Sequence, residues 1–378
     1  MTILYNITTP LLLSLIFSFI ISFPIIKILY KFKITRRMTV DFTTLIEKRN
    51  LKIGVPIMGG LIIIISVTLL NILFNPFRFN NGVYLILFIF ILSALLGGFD
   101  DILNIYGRER VKPKTLVKVL KLIRVHKSIR KRIFLTLSLP WQVYKSFFYM
   151  LGSNPGKGIQ AHEKILVQSI AGILLGISLY SFSSRITPGL LWIPLTNIQI
   201  NIGILLIPFT WFTVLLMTNA VNLADGMDGL AANELIYSFL GFLVIAVIKQ
   251  DFRIVFLCST VLGSLIAYLY FNIPPARFQM GDVGSLALGT LLAAVAFILG
   301  EPLLLLIISF PFALTLLSVV IQGIGRRMLG RRIFAMAPIH YHFQIKYGWS
   351  EEKVVMRFAL FGLTCMLIGL WLFSMKTT

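Results

Sequence analysis

The sequence has 378 residues, of which 57% are hydrophobic and only 13% are charged, and its formal net charge is +21 at pH 7. Ordinary globular chains carry about a quarter of charged residues, so this composition excludes a soluble domain and indicates a polytopic membrane protein. In such a protein the excess of basic residues predicts an anionic lipid surface or a phosphorylated substrate as the partner, and no nucleic acid.

Ten apolar stretches are long enough to cross a bilayer, which takes about 17 to 25 residues. We therefore expect an all-α fold of about ten transmembrane helices in a single catalytic domain, 1–378. The expected spans are 9–30, 53–74, 83–99, 165–183, 200–218, 230–248, 254–272, 283–299, 302–322 and 356–374.

The basic residues predict how these spans are oriented. With the amino terminus outside, 30 of the 35 basic residues fall on the cytoplasmic side, in the loops that follow spans one, three, five, seven and nine or at the span ends next to them. Positive residues are enriched in cytoplasmic loops, so both termini are expected outside. The five exceptions are Arg78, Arg185, Lys249, Arg253 and Lys376.

A basic insertion, residues 106–162, separates the third span from the fourth and carries 13 basic residues against one acid, Glu109. Its cations recur every three or four residues from Lys114 to Lys131, which predicts an amphipathic helix on the cytoplasmic membrane surface. Residues 139–151 are rich in aromatic side chains, as interfacial segments are. The alternative is a solvated insertion or one that contacts another copy of the chain.

Several kinds of chemistry have no support in the sequence. It contains no HExxH, Walker, GxSxG or CxxC motif, so zinc hydrolysis, ATP-driven transport and serine or cysteine hydrolysis are not indicated. Cys258 and Cys365 lie within apolar stretches, and we expect small core residues rather than a disulfide.

Polar side chains gather at the predicted cytoplasmic ends of the spans in four separate segments, three of which contain aspartates. One aspartate at a helix end is usually a cap, but four such clusters on one face favour a Mg2+ and phosphate site. The residues are Asp100 and Asp101 in GGFDDILN, Asn219, Asn222, Asp225 and Asp228 in NAVNLADGMDGLA, Asp282 in FQMGDVGSLALG, and His340 and His342 in RRIFAMAPIHYHFQ.

Local spacing refines these expectations. Asp100 and Asp101 would point about 100° apart on a helix, so one is expected to act as base or nucleophile and the other as support. Glycines next to Asp225 and Asp282 predict tight loops whose amides approach a ligand. The glycine pair in GVPIMGG, at 54–60, fits either close helix packing or phosphate contact.

In this order, with spans between them, GVPIMGG, GGFDDILN, NAVNLADGMDGLA, FNIPPARFQMGDVGSLALG and RRIFAMAPIHYHF resemble the polyprenyl-phosphate N-acetylhexosamine-1-phosphate transferases. Within that superfamily they are most similar to the phospho-N-acetylmuramoyl-pentapeptide transferases. The resemblance covers essentially the whole chain except the insertion. It implies transfer of phospho-MurNAc-pentapeptide from its UDP carrier to undecaprenyl phosphate, with Mg2+, by a homodimer in the bacterial cytoplasmic membrane, where lipid I is made for peptidoglycan.

The resemblance also implies roles for individual residues. Asp282 matches the Mg2+ ligand, with Asp225 close to the metal, and Asp100 and Asp101 match the pair that activates the lipid phosphate or positions the metal. His340 matches the first histidine of the histidine motif. The resemblance implies a further set of substrate contacts: a nucleotide-sugar loop of Asn219, Asn222, Asp225 and Asp228, the phosphate-contacting Lys52 and Lys164, and His342.

Four positions depart from the family pattern, which usually has three successive histidines where Tyr341 follows His340 here. The other three are Ala224, Gln279 and Thr315, where the family usually has threonine, an aromatic residue and glutamate. A sister enzyme that uses UDP-GlcNAc or a related sugar is therefore one alternative. A secondary transporter is another, and it predicts ionisable residues at the bilayer midplane and an internal repeat.

Overall fold

The computed structural model describes residues 2–35, 54–77, 81–107, 116–126, 128–150, 158–182, 189–196 and 198–376. These residues form helices and one short hairpin, so the predicted all-α class is confirmed. The helices are α1 Thr2–Lys31, α2 Leu61–Phe74, α3 Asn81–Tyr106, α4 Leu116–Val125, α5 Ile129–Leu137, α6 Leu139–Met150, α7 Ala161–Phe182, α8 Leu206–Ala224, α9 Leu230–Ile248, α10 Phe252–Asn272, α11 Gly281–Ile298, α12 Pro302–Ile308, α13 Phe310–Met328, α14 Ile339–Tyr347 and α15 Glu351–Ser374.

Eight helices of the described chain are long and apolar enough to cross a membrane: α1, α3, α7, α8, α9, α10, α11 and α15. The expected ninth span is instead two helices, α12 and α13, bent by 80° around Ser309. Pro311 in the first turn of α13 has no amide N–H to continue the preceding helix, which explains the break. The expected second span is the 14-residue α2. The predicted ten spans therefore become eight, or nine if the bent pair is one span.

A two-stranded hairpin, which the sequence analysis did not predict, precedes α8. Strand β1, Leu190–Trp192, pairs antiparallel with β2, Gln199–Asn201. Its strands have three residues each, too few to give an alternating pattern. The hairpin occupies the start of the expected span 200–218, so α8 begins at Leu206.

Helix α11 lies at the centre of the bundle and contacts α2, α3, α7, α8, α9 and α12. Every residue from Val283 to Phe297 is buried, which is expected for a helix that is apolar on all sides. The amino terminus of α11 is therefore surrounded by the ends of other helices. This packing positions Asp282, the second residue of α11, among them.

Glycines allow α2 and α3 to approach the start of α11. A Cβ added at Gly97 of α3 would lie 2.1 Å from the carbonyl oxygen of Asp282, and one added at Gly60 would lie 2.4 Å from Cα of Gly284. No real side chain fits at these separations. The contact at Gly60 supports the close-packing interpretation of GVPIMGG.

Replacing Gly97 by Ala is expected to lower the free energy of unfolding by about 1 to 3 kcal/mol, because α3 must move away from α11. The neighbouring Gly98→Ala variant is a matched control: its Cβ would lie 3.6 Å from the side chains of Met58 and Val283, an ordinary contact. In a helix alanine is more favourable than glycine by about 1 kcal/mol, and this gain applies to both variants, so the difference between them reports the close contact at Gly97. Thermal unfolding in detergent compares the two, and equal stability would contradict the packing argument.

The described residues of the insertion form three short helices, α4, α5 and α6, which corrects the expectation of one continuous amphipathic helix. Helix α4 ends at Val125 and α5 begins at Ile129. Two of the expected cations, Lys114 and Lys127, lie outside the described residues. Helix α6 contains the aromatic stretch and packs against α7.

The two cysteines behave as expected. Cys258 and Cys365 are both buried and form no disulfide. They pack as small apolar residues in α10 and α15.

Candidate functional site

The centre of the site is a lysine ammonium held between two carboxylates. Nζ of Lys164, in the first turn of α7, lies 2.5 Å from Oδ2 of Asp100 and 2.6 Å from Oδ2 of Asp282. The side chain of Asp100 is 2% exposed, whereas that of Asp282 is 20% exposed. The three residues form one charged unit that opens to the exterior on the side of Asp282.

Asp100 also fixes the segment that leads into α7. Its Oδ1 accepts a hydrogen bond from the backbone N–H of Ile159, at 2.6 Å. A Cβ at Gly158 would lie 2.4 Å from the same oxygen, so the chain approaches Asp100 as closely as glycine allows. Lys164 is thus held near Asp100 in two ways: by its own ion pair and by the backbone hydrogen bond of Ile159, which fixes the segment that leads into α7.

Asp101 has different partners, as adjacent residues on a helix must. Its Oδ1 accepts the N–H of Asp282 at 3.1 Å, and its Oδ2 accepts the N–H of Val283 at 3.0 Å. Amide groups in the first turn of a helix have no partner within the helix and carry partial positive charge. Asp101 of α3 therefore caps α11 and joins the two helices.

The end of α8 completes the network around Asp282. Nδ2 of Asn222 donates to Oδ1 of Asp282 at 2.6 Å and to Oγ of Ser285 at 2.9 Å. Oδ2 of Asp225, just beyond α8, accepts the N–H of Gly281 at 3.0 Å. Gly281 has φ of +72°, a conformation that glycine adopts most easily. The structure thus brings together Asp100, Asp101, Lys164, Asn222, Asp225 and Asp282.

Two other residues of the 219–228 segment have separate partners. Nδ2 of Asn219 donates to Oε1 of Gln168 at 3.0 Å. A carboxylate oxygen of Asp228 accepts the N–H of Ala276 at 3.2 Å, and the N–H of Asp228 donates to Oε1 of Glu351 at 2.8 Å. Their expected roles in binding the nucleotide sugar stay predictions.

The histidine segment packs against the loop that follows Asp225. His340 is fully buried, and a Cβ at Gly226 would lie 3.1 Å from its Nε2. The hydroxyl of Tyr341 donates to the carbonyl oxygen of Gly226 at 2.8 Å. Tyr341, the departure from the usual histidine, thus fixes this loop by a hydrogen bond.

His342 faces a different part of the protein. Its Nδ1 accepts the N–H of Ala335 at 3.0 Å. Burial, together with the nearby charge of Lys346, lowers the pKa of His342 from its usual value. A neutral ring whose Nδ1 accepts a hydrogen bond fits this environment.

Sequence reasoning missed several polar partners of the site. Gln168 follows Lys164 by four residues on a largely apolar helix, and this spacing places both side chains on one face. That signal could have identified Gln168 as part of the site. Asn272 accepts the N–H of Gly229 and donates to the carbonyl of Phe278, each at 2.8 Å. Nothing in the local sequence of Asn272 points to this. Lys52 lies outside the described residues.

The expected Mg2+ must be tested against the side chains present. Among the described residues, no group of three or more Asp, Glu, His or Cys side chains could hold a metal by itself. Mg2+ is usually held by only one or two carboxylates, with water and substrate phosphates. Asp225 and Asp282 are partly exposed, whereas Asp100 and Asp101 are buried. The carboxylates of Asp225 and Asp282 therefore fit a Mg2+ ion that is shared with a phosphorylated substrate.

Comparison with known proteins gives a consistent result. Residues 156–300 match the model of glycosyl transferase family 4. The chain is 31% identical over 325 residues to a phospho-N-acetylmuramoyl-pentapeptide-transferase of Enterococcus faecalis, covering 85% of each chain. It is 30% identical over 370 residues to the protein of that name from Halalkalibacterium halodurans, covering 96% of this chain and 97% of the relative.

Proposed function

This chain belongs to the family of phospho-N-acetylmuramoyl-pentapeptide transferases, and from this premise we propose that it transfers phospho-MurNAc-pentapeptide from UDP-MurNAc-pentapeptide to undecaprenyl phosphate. The products are lipid I and UMP. The protein acts as a homodimer at the cytoplasmic face of the bacterial inner membrane. The observation that carries the proposal is the network in which Lys164 joins Asp100 to Asp282.

The reaction brings two anionic phosphates together, so the site must supply positive charge. Asp282 and Asp225 would hold Mg2+, which when bound neutralises the pyrophosphate and the charge that develops on the leaving UMP. Lys164 supplies a second cation, and a substrate phosphate can bind its ammonium in place of a carboxylate. Asn222 holds the carboxylate of Asp282 in a fixed orientation.

Asp100 is the member of the aspartate pair that we assign to the chemistry. Both oxygens of Asp101 accept N–H groups of α11, and releasing them would uncap that helix. Oδ2 of Asp100, in contrast, is paired with the Lys164 ammonium, which a substrate phosphate can draw away. Asp100 then either accepts the proton of the acceptor phosphate, which attacks the donor phosphorus and displaces UMP, or attacks that phosphorus itself, displaces UMP and passes the phospho-sugar to the acceptor phosphate. Both routes use the same carboxylate.

The test is UMP release by the purified full-length chain with undecaprenyl phosphate in detergent. UDP-MurNAc-pentapeptide and UDP-GlcNAc are compared as donors, each with Mg2+ and with EDTA. We expect release with the muramyl donor and Mg2+ only. If UMP is released with UDP-GlcNAc alone, the chain is a sister transferase that uses that donor. If UMP is released with neither donor, the proposal is wrong.

A further inference from the structure

The basic insertion is docked on the start of α7 by a group of aromatic rings around His162. The ring centroids of Trp141, Tyr144, Phe148 and Tyr149, all from α6, lie 5.3, 6.1, 6.2 and 5.9 Å from that of the His162 imidazole. The hydroxyl of Tyr144 also donates to the carbonyl oxygen of His162 at 2.9 Å. His162 is fully buried, so α6 packs directly on the first turn of α7.

This docking site is next to the centre of the network. His162 precedes Lys164 by two residues, and the N–H of Lys164 donates to the carbonyl oxygen of Gln160 at 2.9 Å. The hydroxyl of Tyr149 hydrogen-bonds to the side chain of the same Gln160. A displacement of α6 therefore changes the position of the Lys164 ammonium between Asp100 and Asp282.

The outer part of the insertion carries cations and apolar side chains together. Helices α4 and α5 contain no acidic residue. Their exposed apolar side chains include Val117, which is 62% exposed, and Phe134, which is 71% exposed. The exposed cations are Lys118, Lys121, Arg124, Arg130, Lys131 and Arg132. Anionic lipid head groups above acyl chains have the complementary chemistry.

We propose that α4 and α5 bind the anionic lipid surface of the surrounding bilayer, and that α6 transmits this binding through His162 to Lys164. His162 is then a positioning residue for the transferase site. The second half of this inference rests on the proposed function. The first half does not, because lipid contact can be measured without turnover.

Lipid contact is tested by hydrogen exchange of the full-length chain in nanodiscs of phosphatidylcholine, with and without one third phosphatidylglycerol. We expect slower exchange over 116–137 in the anionic discs, because each cation near the surface contributes about fivefold to binding. The variant Lys118→Gln/Lys121→Gln/Arg124→Gln is expected to lose this difference. The matched control Lys27→Gln/Lys31→Gln/Lys33→Gln removes three exposed charges from the end of α1 and the turn after it, and is expected to keep the difference. Equal exchange in both discs would overturn the proposal.

Transmission is tested by UMP release in the same discs, with equal undecaprenyl phosphate in each. We expect the unmodified chain to turn over several-fold faster in the anionic discs, and the Lys118→Gln/Lys121→Gln/Arg124→Gln variant to lose this stimulation. Trp141→Leu keeps an apolar side chain but removes the largest ring from His162, so it should retain the slower exchange and lose the stimulation. Stimulation of Trp141→Leu equal to that of the unmodified chain would overturn the coupling. A chain inactive in both discs would overturn the proposed function, and the exchange data would still decide lipid contact.

Discussion

Replacing Asp282 by Asn is expected to reduce turnover by about 10²- to 10³-fold or more while the protein remains folded. The asparagine has the shape of the aspartate but not its charge, so neither a cation nor Lys164 is held as before. Lys164 keeps its ion pair with Asp100, and the side chain of Asp282 is partly exposed. The free energy of unfolding should therefore fall only by about 1 to 3 kcal/mol. UMP release and thermal unfolding are measured in the same detergent.

Asp251→Asn provides the control for this variant. Like Asp282, Asp251 lies at the start of a membrane-spanning helix: it immediately precedes α10, and it forms an ion pair with Arg253 at 2.6 Å. It lies at the opposite end of α9 from Asp225, so its loss should affect stability and leave turnover unchanged. Full, Mg2+-independent turnover of Asp282→Asn would contradict the assignment of the site.

Replacing Lys164 by Met is expected to affect both stability and turnover strongly. Without the ammonium, the carboxylates of Asp100 and Asp282 face each other with no charge between them. Removing one partner of a buried ion pair lowers stability by about 3 to 5 kcal/mol. Turnover should fall by at least about 10²-fold, since the cation that meets the substrate phosphate is lost.

A double variant separates the two effects. Lys164→Met/Asp100→Asn removes one of the repelling charges, so it should recover much of the lost stability and none of the turnover. The free energies of unfolding of the unmodified chain, Lys164→Met, Asp100→Asn and the double variant form a cycle that isolates the coupling between the residues. If the effects of Lys164→Met and Asp100→Asn on stability are additive, the two residues are not energetically coupled and the charged unit of Asp100, Lys164 and Asp282 is contradicted.

The sequence alone predicts the helical class and most spans because hydropathy is a local property. It also places Asp100, Asp101, Asp225 and Asp282 near helix ends, where the structure has them. It could not predict that Asp101 caps α11, because that contact depends on the close approach of two helices at Gly97. Such an approach is a matter of packing between distant segments and leaves no periodic signal.

The contacts of Lys164 and of the aromatic residues of α6 also join distant segments, so the sequence does not predict them. Lys164 is one of many cations around the insertion, and only its contact with Asp100 and Asp282 distinguishes it. Residues 139–151 have the composition of an interfacial segment, whereas their rings surround His162. The break at Ser309 is different, since Pro311 marks it in the sequence and could have been interpreted correctly.

The wide separation of the site residues along the chain has a consequence for biosynthesis. The hydrogen bond between Asp101 and Val283 joins residues 182 positions apart. At about 5 to 20 residues per second, the ribosome needs roughly ten to forty seconds to make α11 after α3. Asp100 lacks Lys164 during the first part of that interval, and Asp101 lacks the amides of α11 throughout it. Asp100 and Asp101 lie near the end of α3, so the newly inserted helix keeps these carboxylates at the aqueous boundary until their partners are made. Carboxylates in the middle of the span would oppose its insertion.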